Sequence, residues 1–408
     1  MSNDKPIAMI GSWPPRKCGI ATFAEEASEF IQKHDPSHPV SVISHLDGRG
    51  ANVSPVIDME RADWYRPVAE RVRELDPYAV HIQHEYGLYN YVDEAGESDL
   101  NDGFIRLLEE LSDYPTVMEP HTVHGRMKDH EEHFIREAAA RCNVLLLKCR
   151  YQKWRLDWNF SSRGWTRPRN IMIVPHGARP DKRIAIDRVD EIKNELGLGQ
   201  LRDKHVIGLV GWIQTNKRWD IVTSMWDELH DEICAATGQE WVLLAAGDVR
   251  DPDHREEARR YLNDVKLLEE KGIAHFYRFV PRGDVYYQVM GICDFILLPS
   301  VDETQSGTLA RIIALNKPYV TTAPLEGLTA QTLESGGGLL FTNKDMLREK
   351  ILRLATDEGL RWELGFKLYR YLMNVVSWEV VARQYHEAYR AARAEVYDGV
   401  PIDIPPEF

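Results

Sequence analysis

Two short segments of this sequence carry charge and hydrogen-bond donors in a pattern suited to a phosphorylated sugar. In Pro299 to Pro318, PSVDETQSGTLARIIALNKP, a strand-like run ends, a polar stretch with Asp302 and Glu303 follows, and a helix starts near Gly307 with Leu309, Ile312 and Ile313 turned inward. A helix N-terminus presents amides that have no partner within the helix, so the backbone of Ser306, Gly307, Thr308 and Leu309 is a candidate phosphate cradle. Glu303 cannot itself favour phosphate. Its useful partner is a hydroxyl, and a carboxylate accepting from vicinal sugar hydroxyls is a stronger acceptor than a neutral group. In Val206 to Lys217, VIGLVGWIQTNK, a strand runs into a loop with Lys217 just ahead of a helix, where an ammonium can meet an anion. Sugar and phosphate together point to a nucleotide sugar, whose leaving diphosphate gains charge that a fixed cation stabilises. A solvated loop carboxylate at Glu303 and a surface ammonium at Lys217 are the plainer alternatives.

Three segments of the N-terminal half also end in polar residues. GSWPPRKCGIATF holds the cations Arg16 and Lys17 ahead of a helix opening at Gly19, where backbone can approach a ligand closely. VHIQHEYG gathers His84, Glu85 and Tyr86 past a strand, where acceptor hydroxyls would bind, and TVMEPHTVH puts His121 just past another. The HxxH spacings His81/His84, His121/His124 and His130/His133 raise a metal site, but only the last pair is expected on a helix and no HExxH occurs, so no metal is expected. The basic and aromatic run Arg150 to Trp158, RYQKWRLDW, with Arg163, Arg167 and Arg169, suits either an anionic membrane surface or a phosphorylated acceptor. A domain-packing helix is the preferred reading.

These positions need strands to carry them. Ile7 to Ile10, Val40 to Ser44, Ala79 to Gln83, Thr116 to Glu119, Val144 to Leu147 and Ile171 to Val174 read as strands of one half. Val206 to Gly211, Trp241 to Gly247, His275 to Phe279, Phe295 to Pro299, Tyr319 to Thr322 and Gly338 to Phe341 read as strands of the other. Helical patterns separate most of them, which predicts an α/β chain of two Rossmann-like domains. The expected domains are 1–182 and 189–376, joined by a polar linker, and 408 residues exceed what one core usually serves. After Ser377, the residues Trp378, Val381, Ala382, Tyr385, Tyr389 and Ala392 predict a long amphipathic helix over 377–397. The proline-bearing tail beyond Asp398 is expected to be extended and loose.

Composition narrows the classes. A formal charge of −14 argues against nucleic acid as a partner, and no apolar run approaches the roughly 20 residues that span a bilayer. A cytoplasmic protein with at most peripheral membrane contact is expected. The five scattered cysteines suggest neither a disulfide framework nor a zinc ribbon.

The segment Glu303 to Pro318 resembles the donor motif of glycosyltransferase family four, of the GT-B fold, in which one Glu, seven residues and a second Glu precede a small-x-Pro turn. Glu303 matches the first Glu, which in the family contacts the donor sugar; Arg311 stands at the second, which contacts the ribose. Val206 to Lys217 is similar to the family's strand, Gly-Arg and Lys, in which Arg and Lys hold the diphosphate. Gly211 and Lys217 match, Trp212 replaces the Arg, and Arg218 is the candidate substitute. The first loop with Gly19, the QHE run and His121 resemble cleft-lining family features, His121 matching the His that contacts the donor sugar and reaction centre. The resemblance covers essentially the whole chain. It implies two Rossmann-like domains facing a cleft, a C-terminal helix crossing back to the N-terminal domain, and a retaining hexosyltransferase without cofactor or metal. The donor, of GDP-mannose or UDP-glucose type, would lie on the C-terminal domain with Val280 near its base, and the acceptor would be a saccharide or small polar molecule. The alternatives are a non-catalytic nucleotide-sugar binding protein and a GT-B epimerase or phosphorylase; self-association stays open.

Overall fold

A computed structural model describes residues 5–124, 127–250, 255–301, 306–324 and 326–406. The chain forms two compact units, residues 1–177 with 378–408, and residues 178–377, so the first division falls at Gly177 rather than at the expected 182. The short helical turns Pro180–Lys182 and Ile186–Arg188, expected to be linker, belong to the second unit.

The first unit is built on strands β1 (Ile7–Gly11), β2 (Val40–His45), β3 (Val53–Ile57), β4 (Ala79–His84), β5 (Thr116–Pro120), β6 (Val144–Leu147) and β7 (Ile171–Ile173). They pair in parallel in the order β3-β2-β1-β4-β5-β6-β7. Its helices are α1 (Gly19–His34), α2 (Tyr65–Leu75), α3 (Asp102–Glu110), α4 (Asp129–Arg141) and α5 (Arg150–Ser162). The second unit has β8 (His205–Val210), β9 (Trp241–Gly247), β10 (Ala274–Arg278), β11 (Phe295–Leu298), β12 (Tyr319–Thr322) and β13 (Gly338–Phe341), parallel in the order β10-β9-β8-β11-β12-β13. Its helices are α6 (Val189–Glu195), α7 (Trp219–Thr237), α8 (Arg255–Glu270), α9 (Gly283–Gly291), α10 (Gly307–Ala314), α11 (Glu326–Ser335), α12 (Lys344–Thr356) and α13 (Glu358–Tyr371). Apolar runs such as VIGLV of β8 and VLLL of β6 are buried because parallel sheets are covered on both faces.

Helix α14 (Trp378–Asp398) returns to the first unit. Its stripe of Trp378, Val381, Ala382, Tyr385, Ala388, Tyr389 and Ala392 is buried with Phe23, Ala27, Phe30 and Ile31 of α1. Each large side chain so buried contributes about 1.5–3 kcal/mol, which holds the helix in place. Gly177 permits the join, since a Cβ there would lie 2.2 Å from the Trp378 ring. The tail is not loose as expected. Ile404 N donates to Arg169 O at 2.7 Å, and Lys153 Nζ donates to Pro405 O at 2.6 Å.

Candidate functional site

In a doubly wound sheet the ligand-bearing loops follow the carboxyl ends of the strands. In the second unit, β8 ends at Val210 and the chain turns through Gly211 at φ +146, a conformation costly for other residues; a Cβ there would also lie 3.3 Å from Tyr286 Oη. One helical turn, Thr215–Lys217, follows, then Arg218 in the left-handed region and α7. Val301 N, just past β11, donates to Asn216 O at 2.7 Å, which ties the lysine loop to the loop that leads to Glu303. Glu303 itself, with Asp302, lies outside the described residues.

These loops border a small pocket, open to solvent, lined by Gly211, Trp212, Lys217, Ser300 and Thr308 above Val210, Leu297 and Leu298. Burial pulls the Lys217 ammonium down to about 8, with the Arg250 charge adding to the effect. An anion in the pocket would reverse that shift, since opposite charge favours the protonated form. Ser300 was not anticipated. Its side chain is 1% exposed, and its Oγ has no hydrogen-bond partner among the described residues although it lines the pocket. A buried hydroxyl left so costs about 1–3 kcal/mol, which a ligand acceptor or donor would recover. The only sequence signal was a serine directly after the strand-ending Pro299.

Helix α10 begins beside this pocket, but its amides are not all available. Ser306 Oγ caps the helix by accepting from Leu309 N at 3.3 Å, which leaves Gly307 and Thr308 as the outward amides. Thr308 Oγ1 lies 2.7 Å from Tyr286 Oη. Three other expected donor contacts point elsewhere. Arg218 makes a two-pronged ion pair with Asp220, both contacts at 3.1 Å, because the left-handed turn aims it at the start of α7. Arg311 folds back on its own helix, donating from Nη1 to Gly307 O at 2.9 Å, with its guanidinium 5.0 Å from the Tyr286 ring centroid. Val280 follows β10 at the same sheet edge, outside the pocket lining, and its carbonyl accepts from Arg282 N.

In the first unit the loops after β1, β4 and β5 lie at one sheet edge, since these strands are parallel neighbours. The loop after β1 holds Arg16, whose Nε is 2.8 Å from Asp47 Oδ2, then exposed Lys17 and Gly19, which faces open space rather than a close neighbour. After β4 the acceptor expectation is corrected at His84. Its ring is fully buried, stacked 4.5 Å from Phe134, and bonded to Asn101 Oδ1 at 3.0 Å, so it belongs to the core. Burial pushes it down to about 3, which keeps it neutral. Glu85 accepts from Tyr86 N and from Thr122 Oγ1, the latter at 2.7 Å. The half-buried Tyr86 ring packs against His84 and Phe134, and burial raises its phenol.

His121 ends in a dry polar network that the sequence did not reveal. Its Nε2 lies 2.6 Å from Gln83 Oε1, and Gln83 Nε2 donates to Glu119 Oε2 at 2.6 Å. With the amide nitrogen committed to a carboxylate, Gln83 Oε1 must accept, so His121 carries its proton on Nε2 and keeps Nδ1 as an acceptor. The ring is 7% exposed, and burial with the nearby His81 pushes it down to about 3. Glu119 also takes His81 Nε2 at 3.0 Å, Tyr385 Oη at 2.8 Å and the Lys148 ammonium, while His81 Nδ1 meets Tyr389 Oη at 2.7 Å. Its carboxylate is saturated. Polar residues inside otherwise apolar strands, Gln83 and Glu119, were the available signal. Among the described residues no group of three or more His, Cys, Asp or Glu side chains is arranged to hold a metal ion.

Residues 204–357 match the family described as Glycosyl transferases group 1. A glycogen synthase from Gloeobacter violaceus is 23% identical over 219 residues, 50% of this chain and 43% of that protein, so the match spans less than half of this relative's length. Among solved structures, sucrose-phosphate synthase from Thermosynechococcus elongatus is similar at TM-score 0.68 and 14% identity, over 96% of this chain and 99% of that one. Anabaena Alr3699/HepE in complex with UDP-glucose is similar at TM-score 0.66 and 12% identity, over 94% and 99%. The chain therefore has the GT-B fold, and its residues 204–357 are similar to the group 1 glycosyl transferases.

Proposed function

We propose that this chain is a retaining, metal-independent hexosyltransferase of the family-four type, moving a hexosyl group from a nucleotide diphosphate sugar to a hydroxyl of a saccharide or small polar acceptor. The observation that carries the reading is the pocket at the carboxyl edge of the second sheet, where Lys217, Ser300 and the outward amides at the start of α10 converge. Lys217 binds the diphosphate and stabilises it as it leaves. Glu303 accepts from hydroxyls of the transferred sugar. His121, kept neutral by burial, contacts the transferred sugar at the reaction centre. The resemblance to family four implies front-face displacement, with the leaving phosphate drawing the acceptor proton. The UDP-glucose bound in the Anabaena relative favours a uridine donor over a guanosine one.

Turnover of a panel of UDP, GDP and ADP sugars, with the anomeric configuration of product followed by NMR, tests this. Retained configuration, insensitivity to chelator and a large loss in Lys217→Ala are expected; an inverted product or an unimpaired Lys217→Ala rejects it. One observation favours a second reading. Trp212 lines the pocket where the motif that this segment resembles has Arg, a replacement that a non-catalytic nucleotide-sugar binder would tolerate. Tight donor binding with no hydrolysis and no transfer would select that reading.

A further inference from the structure

We propose that the outer face of α5 docks on an anionic lipid bilayer. This inference is independent of the nucleotide-sugar reading. Tyr151, Trp154 and Trp158 recur at spacings of three and four and so share one face over two turns. They are 36%, 37% and 47% exposed, while Gln152, Lys153, Leu156, Asp157 and Phe160 fill the opposite, buried face. The expectation that this helix only packs against its own domain therefore holds for one side alone.

Arg155 joins the exposed stripe, its guanidinium 5.8 Å from the Trp154 ring centroid and 5.2 Å from that of Trp158, and exposed Arg150 sits at its N-terminal end. The Tyr151 and Trp154 rings are neighbours at 5.8 Å. From Cys149 to Asn170 the only acid is Asp157, and it is buried 3.4 Å from Lys153 Nζ. Nearby Arg163 and Arg169 are paired with Glu132 and Asp403. The outer face of the helix is thus cationic and aromatic in a chain whose formal charge is −14.

Charge complementarity selects an anionic partner. The side chains select a bilayer, because Trp and Tyr settle at the depth of lipid headgroups with their polar tips toward water, and Arg held over the rings meets the phosphates at that depth. The rings stand in a row on the outside of a helix rather than in a recess, which suits a surface laid flat against them. Among the described residues no helix is long and apolar enough to cross a membrane, so such contact is peripheral.

Flotation of the full chain with vesicles of phosphatidylcholine alone, and of phosphatidylcholine containing about a third phosphatidylglycerol, tests this. Binding is expected on the anionic vesicles only, weakening as salt rises. Trp154→Ser with Trp158→Ser lowers the partition constant roughly tenfold or more, as apolar insertion is lost. Arg150→Gln with Arg155→Gln lowers it about 25-fold, at roughly fivefold per cation. Thermal melts establish that the variants fold, and the salt titration of the unaltered protein stands without them. No flotation on anionic vesicles, equal flotation on neutral ones, or binding indifferent to both variants overturns the proposal. So does a concentration-dependent dimer that the tryptophan variants dissolve, which would make the face a contact between copies.

Discussion

At the sheet edge of the first unit, His121 reaches Glu119 through Gln83, and every oxygen of that carboxylate is already occupied by Lys148, Tyr385, His81 and Gln83. At the corresponding edge of the second unit, Lys217 is held partly out of water and Ser300 keeps an unanswered hydroxyl. The Glu119 carboxylate is complete before any ligand arrives. The second edge presents an ammonium drawn down by burial and a hydroxyl with no partner among the described residues, and one phosphorylated ligand could engage both. Preorganisation in the one and unmet demand in the other predict different responses to mutation: loss of fold against loss of binding.

The strongest challenge to that contrast is Glu119→Ala. It strands the buried Lys148 ammonium, and urea unfolding should show a loss of about 3–5 kcal/mol. A cost under about 1 kcal/mol would mean the network carries no structural weight. Lys148→Met in the same chain should restore part of the loss, because the stranded charge is then gone. Next in size, Lys217→Ala should lower kcat/KM for the preferred donor by about 10²–10³ with an unchanged melting temperature. If it melts earlier instead, the lysine is structural and the contrast fails. Ser300→Ala should weaken donor binding by about 1 kcal/mol, read by calorimetry, and leave stability intact because its hydroxyl has no partner among the described residues.

The smallest effect is in pH. Burial pulls the Lys217 ammonium down to about 8, and a bound diphosphate would raise that value, so donor affinity should fall as pH climbs above about 8, by at most about tenfold per unit. His121, pushed down to about 3, stays neutral across pH 5 to 7 and should add no inflection there. An inflection near 6 that disappears in His121→Asn would show the histidine network to be less dry than its burial implies.

Much of the architecture was legible because strands covered on both faces read as unbroken apolar runs. Val144–Leu147, Trp241–Gly247, Tyr319–Thr322 and Gly338–Phe341 have the expected bounds. Strand β3 escaped notice because it is an edge strand, VSPVI, only partly buried and interrupted by Pro55, which an edge tolerates and a central strand does not. In the second unit, motif spacing singled out Gly211, Lys217 and Thr308, and these three line one pocket. Side-chain direction was another matter: nothing local announces that His84 turns inward or that Arg218 turns to Asp220. The Glu119 network was out of reach for a further reason. Its members lie up to 308 positions apart, and only the return of α14 brings Tyr385 and Tyr389 to the strands.

That return of α14 also bears on the order in which the chain is made. Residues 178–377 form one contiguous stretch and can fold once they have left the ribosome. The unit that holds residues 1–177, made earlier, lacks Tyr385, Tyr389 and the Trp378 stripe until α14 has emerged. The usual rule that the earlier domain matures first is therefore inverted here. During synthesis, Glu119 and His81 wait in an unfinished interior for α14 to arrive.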